Sequence, residues 1–175
     1  KSMGLRVNCR FIRRCTTNEI AGFNRGSLNL LAVDDAFGRV VRDFLENRHG
    51  ATFASSPFPV GFQATSEWIE ELARHFHKTN EAEEIIERHR AVYEASVAAL
   101  RPALEGKRIL IAVRNHCIDW VLETALDLGM VILKAGILES AWDDTFHSRY
   151  EGRVPFVFPY AREQRDEDMR AFDPD

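Results

Sequence analysis

Cysteine is scarce in this sequence, and the long apolar runs of membrane proteins are missing. The three cysteines among 175 residues show no CxxC spacing, so neither a disulfide framework nor a closed zinc site is expected. No apolar stretch approaches the roughly 20 residues that a membrane-spanning helix needs. We therefore expect no membrane partner, and the cysteine usage fits a reducing, cytoplasmic setting.

A net positive charge is lacking as well. The chain carries 23 Lys and Arg against 27 Asp and Glu, which gives a net charge of −4. This balance provides no overall attraction to nucleic acid, so we expect no nucleic-acid partner. The glycine cradles GxGxxG and GxxxxGK[ST] are also absent, which excludes the usual dinucleotide and nucleoside-triphosphate motifs.

The later part of the sequence alternates apolar runs with helical patterns. Residues 107–113 (KRILIAV) form a continuous apolar run, which predicts a parallel strand buried on both faces. The pattern then predicts a helix over 115–128, a strand over 130–138 and a strand over 154–158. Pro155 disfavours a central position for the last of these strands. The alternation predicts right-handed βαβ crossovers and an α/β fold.

The earlier part predicts a unit of the same class. Residues 27–33 have the composition of a strand, and Asp34 is a candidate N-cap for the helix that follows. The apolar residues of that helix recur at spacings of 3 and 4 up to Gly50 and should face a sheet. Thr65 is a candidate cap for the next helix. We predict Rossmann-like parallel sheets flanked by helices in two consecutive units: residues 1–104, a middle α/β unit with a long helical connection, and residues 105–175, the start of a second unit.

The turn after the 107–113 strand carries the residues most typical of a ligand site. Open α/β sheets bind ligands outside the carboxyl ends of their strands, and Arg114, Asn115 and Cys117 follow that end directly. The first turn of a helix favours a thiolate at Cys117, and Arg114 can act as an anion clamp. The alternative is that Cys117 packs as a small apolar residue and Arg114 is a solvated charge.

Two acidic residues, Asp34 and Asp35, stand where the first predicted helix begins. A carboxylate pair can bind a cation or act as an acid–base couple. The competing role is N-capping, for which Asp is a preferred residue.

Three segments, in order, resemble the later portion of the subunits of nitrogenase component 1 and its relatives. They are LNLLAVDDAFGRVVRDFLENRHG, PFPVGFQATSEWIEELA and EGKRILIAVRNHCIDWVLETALDLGMVILKAG. The more specific features are the spacing of Pro57, Gly61 and Thr65 and the GKR strand followed by DLGM. The resemblance implies a redox subunit of three α/β domains, of which this chain would hold the middle one and much of the third. It also implies a homologous partner subunit in a heterotetramer, an ATP-dependent iron–sulfur reductase as electron donor, and an iron–sulfur cluster or related metallocofactor in the full-length complex.

The family's pocket positions carry different residues in this chain. A cofactor-ligating cysteine follows the family's LNL strand, and Val33 or Asp34 stands there. The family's glycine pair after the GKR strand aligns with Arg114 and Asn115, and its pocket arginine aligns with Cys117. The resemblance therefore implies that Asp34, Arg114, Asn115 and Cys117 line a cofactor or substrate pocket, with Cys117 as the candidate metal ligand. These departures argue against a molybdenum-cofactor dinitrogen reductase and favour a divergent relative with another substrate, such as a tetrapyrrole.

Three functions remain open from the sequence. The leading hypothesis is a fragment of a nitrogenase component 1-like oxidoreductase subunit that lines a metallocofactor or substrate pocket and is not active alone. The fragment itself need not bind the cofactor. The alternatives are a non-catalytic scaffold for cofactor assembly and a flavodoxin-like binding module.

Overall fold

The chain packs into two units in the computed structural model. The first consists of Lys1–Pro59 and Thr65–Arg88, and the second of Val60–Ala64 and His89–Asp175. The described residues are 3–10, 16–18, 22–113, 118–138 and 148–175.

Regular structure in these ranges is mainly helical before residue 105 and alternates between strand and helix afterwards. None of the described helices is both long enough and apolar enough to cross a bilayer. The helices are α1 (Ala36–His49), α2 (Phe62–Phe76), α3 (Thr79–Leu104), α4 (Ile118–Asp127) and α5 (Arg162–Phe172), and the strands are β1 (Arg108–Val113), β2 (Val131–Leu138) and β3 (Phe156–Tyr160).

Helix α1 is capped at both ends by its own sequence. The Asp35 carboxylate accepts the Gly38 N–H at 2.7 Å, and Gly50 ends the helix in the left-handed conformation at φ 62°. The N-cap is therefore Asp35, and the prediction of Asp34 was wrong by one residue. The Asp35 carboxylate stands three residues before Gly38 and accepts its first-turn N–H, which defines the cap.

The apolar row of α1 does not face a sheet, contrary to the prediction. Phe37, Val40 and Phe44 are 69%, 67% and 55% exposed. The first unit forms an isolated parallel bridge between Asn29 and Phe53 in place of the predicted sheet, as far as the structure describes it. The helix forms because its caps and apolar spacing favour it, but the described part of the unit does not bury these apolar side chains.

The core of the first unit forms where α2 meets the beginning of α3. Leu72 and Ala73 of α2 are buried against Ala82 and Ile85 of α3, together with Met3 near the start of the chain. The amphipathic pattern of both helices produces this contact. Partly buried neighbours complete the cluster: Leu5, Leu28, Leu30, Trp68, Ile69 and Phe76.

The second unit is built on a three-stranded parallel sheet in the order β1–β2–β3. In register, Ile111 of β1 lies beside Ala135 of β2, and Ala135 lies beside Phe156 of β3. This confirms the predicted parallel strands and the α/β class. Strand β3 lies at an edge of the described sheet, with Pro155 immediately before it, as the missing proline N–H requires.

Helices cover the two faces of the central strand β2. Neighbouring strand residues point to opposite faces. Ala135 and Ile137 pack with Ile118 and Leu122 of α4, and all four are at most 1% exposed. The opposite face carries Lys134, which contacts α5. Burial on both faces is the condition that favours a parallel sheet over an antiparallel one.

A polar network joins α5 to the sheet on the second face. The Lys134 ammonium donates to both carboxylate oxygens of Asp168 at 2.6 and 2.7 Å, and the Tyr160 hydroxyl donates to the same carboxylate at 2.7 Å. The side chains of Lys134 and Asp168 are only 19% and 11% exposed. A buried charge is tolerated when it is paired and hydrogen-bonded, and the Asp168 carboxylate satisfies that condition.

The Tyr160 ring fits in the sheet because Gly136 has no side chain. A Cβ at position 136 would lie 2.6 Å from Cδ1 and 2.8 Å from Cβ of Tyr160. Contacts of that length are repulsive, so only glycine leaves room for the ring here. The ring in turn carries the hydroxyl that reaches Asp168.

We predict that Asp168→Ala destabilises the chain by about 2–4 kcal/mol, because it leaves the Lys134 ammonium largely buried without its partner. Urea unfolding followed by far-UV circular dichroism measures the change. The matched control is Asp166→Ala, an exposed carboxylate of the same helix, which should leave the midpoint nearly unchanged. Equal midpoints for the two variants would contradict a stabilising role for the network.

Stability should also depend on pH through the same carboxylate. Hydrogen bonds from Lys134 and Tyr160 hold the pKa of Asp168 below its ordinary value, against the opposing effect of burial. The unfolded chain therefore binds this proton more readily, and the stabilisation is lost as the pH falls below about 4. The difference in unfolding free energy between the unsubstituted chain and Asp168→Asn should shrink on acidification. A difference that stays constant from neutral to acidic pH would exclude this linkage.

Candidate functional site

The carboxyl edge of the parallel sheet is the candidate site of the second unit. The strands β1, β2 and β3 run in parallel and end at Val113, Leu138 and Tyr160, so their carboxyl ends lie along one edge. Ligands of open α/β sheets bind outside this edge. The segments 114–117 and 139–147, which follow β1 and β2, lie outside the described residues.

The predicted site residues are divided between the two units. Arg114, Asn115 and Cys117 follow β1 in the second unit and lie outside the described residues. Asp34 lies in the first unit and is exposed. Its carbonyl accepts a hydrogen bond from Arg39 at 2.9 Å, and its carboxylate lies 3.7 Å from the same guanidinium. Of the four, only Asp34 is described, and its contact is a surface ion pair.

A polar cluster that the sequence did not reveal borders the undescribed segments. We call it the Asp119 cluster; its members are Asp119, Ser148, Arg149 and Glu151. The Ser148 hydroxyl donates to Asp119 at 2.5 Å, and the Arg149 N–H donates to the other carboxylate oxygen at 3.4 Å. The Glu151 carboxylate accepts the Ser148 N–H at 2.9 Å. The cluster thus fixes residue 148, which follows the 139–147 segment, to the first turn of α4, which follows the 114–117 segment.

The chemistry of the Asp119 cluster is that of an anchor. Asp119 lies in the first turn of α4, where the helix dipole stabilises a negative charge. Both of its oxygens are engaged, one by Ser148 and the other by Arg149, whose Nε lies 3.6 Å away. A carboxylate occupied in this way is held in place at the start of α4.

Tyr150 links the cluster to the core of the second unit, because its backbone N–H donates to the Ser148 hydroxyl at 3.2 Å. It is 5% exposed, packs in the core of the second unit, and carries the Arg153 guanidinium 5.3 Å from its ring centre. Burial raises the pKa of the Tyr150 hydroxyl above its ordinary value. The phenol is therefore neutral at physiological pH and packs as an aromatic side chain.

A groove of about 430 Å³ runs along the second half of α3. At its centre the Tyr93 ring stacks on Phe62 with 5.0 Å between ring centres, and its hydroxyl donates to Asp127 at 2.6 Å. Burial and the Asp127 carboxylate raise the pKa of Tyr93, so this phenol remains protonated. Asp34, the predicted site residue that the structure describes, is not part of the groove. The groove is lined by Phe62, Arg90, Tyr93, Glu94, Val97, Ala98, Arg101, Glu123 and Asp127.

The wall of this groove also explains where α2 begins. The Glu123 carboxylate accepts the Gln63 N–H at 2.9 Å, so a residue 60 positions away provides the N-terminal acceptor. The predicted cap Thr65 was therefore wrong, because the helix begins three residues earlier, at Phe62. Gly61 permits the approach: it has φ 94°, and a Cβ there would lie 2.5 Å from the Trp120 Cβ.

The described residues do not provide a metal-binding donor set. Within them, no group of three or more His, Cys, Asp or Glu side chains converges on a point that could hold a metal ion. An iron–sulfur cluster requires several thiolate or imidazole ligands. The part of the chain that the structure describes therefore does not fit such a cluster by itself.

Comparison with known proteins decides the family. The family model described as nitrogenase component 1 type oxidoreductase matches residues 1–175. The chain belongs to this family. Family membership excludes the alternative of an unrelated flavodoxin-like module that resembles the family only in its alternation of strands and helices.

Curated relatives carry the same family signature over most of the chain. The nitrogenase molybdenum-iron protein alpha chain of Herbaspirillum seropedicae is 28% identical over 140 residues, which cover 78% of this chain and 28% of that protein. The corresponding alpha chain of Rhizobium sp. cowpea (strain IRc78) is 28% identical over 138 residues, which cover 78% and 27%. The chain thus spans less than a third of the length of these relatives.

Solved structures agree with the fold. The structure "Nitrogenase Cp1 at pH 5" matches with a TM-score of 0.74 over 99% of this chain and 42% of that chain, at 14% sequence identity. "Nitrogenase Cp1 at pH 6.5" matches with a TM-score of 0.61 over 98% of this chain and 37% of that chain, at 15% identity. At this identity the likeness establishes the α/β nitrogenase fold and nothing finer.

The Asp119 cluster provides a test of how the edge is held. We predict that Asp119→Ala and Ser148→Ala couple by about 1 kcal/mol in a double-mutant cycle, because each variant removes the same short hydrogen bond. Urea unfolding of the two single variants and the double variant gives the coupling. Strictly additive effects would show that the two side chains do not depend on each other.

Proposed function

We propose that the chain forms part of a nitrogenase component 1-like oxidoreductase subunit and lines a pocket for a metallocofactor or substrate. The observation that supports this proposal is the parallel sheet itself. Strand β1 ends at Val113 on the carboxyl edge of the sheet, where ligands bind in this fold class, and residues 114–117 follow it in the sequence. Family membership over the whole chain gives that edge a redox context.

Each predicted residue has a role in this proposal. Arg114 binds an anionic group through its planar guanidinium, and Asn115 offers its amide to the same ligand. Cys117 contacts the cofactor or substrate as a thiolate, favoured by the beginning of α4. Asp34 is the proposed cofactor-binding carboxylate of the first unit. In the second unit, Asp119 anchors the start of α4 to residue 148.

An iron–sulfur cofactor would supply one-electron chemistry when bound. The described side chains do not form a donor set for it, so no reaction step is assigned to them. The role of the proposed pocket residues is to bind and orient the ligand and to exclude water.

The assembly is part of the same proposal. The relatives are alpha chains of a molybdenum–iron protein. We propose a homologous partner subunit in a heterotetramer, electron delivery by an ATP-dependent iron–sulfur reductase, and a cytoplasmic location. In the full-length subunit, residues 1–104 would belong to the middle α/β domain and residues 105–175 would begin the next one.

A scaffold for cofactor assembly is the second candidate function. A scaffold of this family would share the fold and the same carboxyl edge of the sheet with the oxidoreductase. Turnover separates the two functions: a catalytic subunit reduces its substrate when the reductase and ATP are present. A scaffold instead transfers its cofactor to another protein without turnover.

The ligand role of Cys117 can be tested in the full-length protein prepared anaerobically. We predict that Cys117→Ala loses the iron and sulfide of one cluster, because a thiolate ligand is removed. Elemental analysis and the visible absorption of the iron–sulfur chromophore measure the loss. Cys9→Ala is the matched control and should retain the full content. If Cys117→Ala also retains it, Cys117 is not a ligand.

A further inference from the structure

The groove along the second half of α3 belongs entirely to the second unit. One of its walls is α3, and the other is α4, which contributes Glu123 and Asp127. Phe62 lies at the end of the groove where Tyr93 stands, and the two rings stack there. The volume of about 430 Å³ is in the range of small-molecule sites.

The two walls run in the same direction and give the groove an elongated shape. The Tyr93 hydroxyl donates to α4, and Arg101, eight residues later, lies beside Gly129, which follows the end of the same helix. At a rise of 1.5 Å per residue, the interval from Tyr93 to Arg101 is about 12 Å long. Val97 and Ala98 stand between them on the groove side of α3 and provide an apolar surface. A narrow, linear molecule fits this shape.

Negative charge is in excess along the groove. The lining holds two guanidinium groups and three carboxylates, which are those of Glu94, Glu123 and Asp127. Both guanidinium groups are already engaged. That of Arg101 lies 3.3 Å from the Glu105 carboxylate, and that of Arg90 lies 5.3 Å from the centre of the Phe62 ring. The charge of the groove therefore favours a cationic ligand.

Two of the carboxylates can accept further hydrogen bonds. Asp127 accepts the Tyr93 hydroxyl through Oδ2 at 2.6 Å, and within the described residues no group donates to its Oδ1. Glu94 has no ion pair or hydrogen bond to any residue that the structure describes. A cation can pair with either carboxylate without displacing another group.

The placement of these carboxylates suits an organic cation better than a metal ion. Glu94 belongs to α3, whereas Glu123 and Asp127 belong to α4. In the described ranges no three acidic side chains converge as metal ligands would. Carboxylates that stand apart match a ligand whose positive charges are also apart, and an ammonium group donates strong hydrogen bonds to a carboxylate.

We propose that this groove binds linear alkyl diamines and polyamines. One ammonium group donates to Oδ1 of Asp127, and the other donates to the Glu94 carboxylate. The methylene chain between them lies on Val97 and Ala98, where contact removes it from water. The Tyr93 hydroxyl holds the other oxygen of Asp127 and so fixes the orientation of the carboxylate.

Equilibrium dialysis with radiolabelled 1,4-diaminobutane tests the proposal in the full-length protein. We expect saturable binding that weakens as the salt concentration rises, because the ion pairs are accessible to water. Two competitors define the ligand class. 1-Aminobutane has the same chain and one charge, and it should compete at least about fivefold less well. Mg²⁺ should compete no better than Na⁺ at the same ionic strength.

Two results would overturn the proposal at this stage. Absence of saturable binding would show that the groove is not a site for such amines. Competition by Mg²⁺ as strong as that by 1-aminobutane would show a diffuse attraction of cations. Both results are independent of metal content and turnover, and so of the proposed function.

Charge variants locate the bound diamine. Asp127→Asn keeps an acceptor for the Tyr93 hydroxyl and removes the charge, and Glu94→Gln removes the charge of the opposite wall. Each should weaken binding about fivefold. The matched control is Glu84→Gln, an exposed carboxylate of α3 outside the groove, which should leave binding unchanged. Unchanged binding in both groove variants would place the site elsewhere and exclude the proposal.

A steric variant tests the methylene contact with every charge in place. Leucine is a good helix former, so Ala98→Leu should keep α3 intact while its side chain fills the apolar surface. Binding should weaken about tenfold, whereas the far-UV circular dichroism should not change. Ala99→Leu adds the same side chain at an exposed position outside the groove and should bind normally. An equal effect of the two variants, or no effect of Ala98→Leu, would show that the chain does not lie there.

Discussion

Burial of β2 on both faces is the constraint on which the rest of the second unit depends. Parallel sheets are stable when both of their faces are shielded from water. In this unit one helix packs on each face of β2, and the two helices make contacts of different chemistry. Helix α4 supplies an apolar cover against Ala135 and Ile137, and α5 supplies one centred on the pair of Asp168 with Lys134. The two helices hold the central strand in place. Because the strands are parallel, their carboxyl ends lie along one edge, which is where open α/β sheets bind ligands.

Local signals were sufficient for the sheet but not for the ends and covers of the helices. Continuous apolar runs identified β1 and β2, and Pro155 correctly predicted an edge position for β3. The N-cap of α1 is Asp35, one residue after the predicted Asp34, because capping depends on which carboxylate reaches an N–H group. The start of α2 could not be predicted, since its acceptor comes from a residue 60 positions away.

The carboxyl edge of the sheet was predictable, because strand ends and fold class follow from periodicity. The site residues after β1 stay a prediction, since residues 114–117 lie outside the described residues. The Asp119 cluster was not predicted from the sequence. Its central hydrogen bond joins Asp119 to Ser148, 29 residues along the chain, and no spacing rule links the two. An acidic residue in the first turn of a helix was a visible signal, but it indicates a stable helix end and does not reveal the partner.

The Tyr160 ring occupies the space that a side chain at position 136 would need, and this limits which residues the two positions can carry. A larger residue at 136 requires a smaller one at 160, because a Cβ at 136 would lie 2.6 Å from the ring. The smaller residue would lack the hydroxyl that donates a hydrogen bond to Asp168. Position 136 therefore cannot change alone, and the compensating exchange at 160 removes a hydrogen bond from Asp168, the partner of Lys134. Among homologues that keep the lysine and aspartate, these two positions should be inherited together.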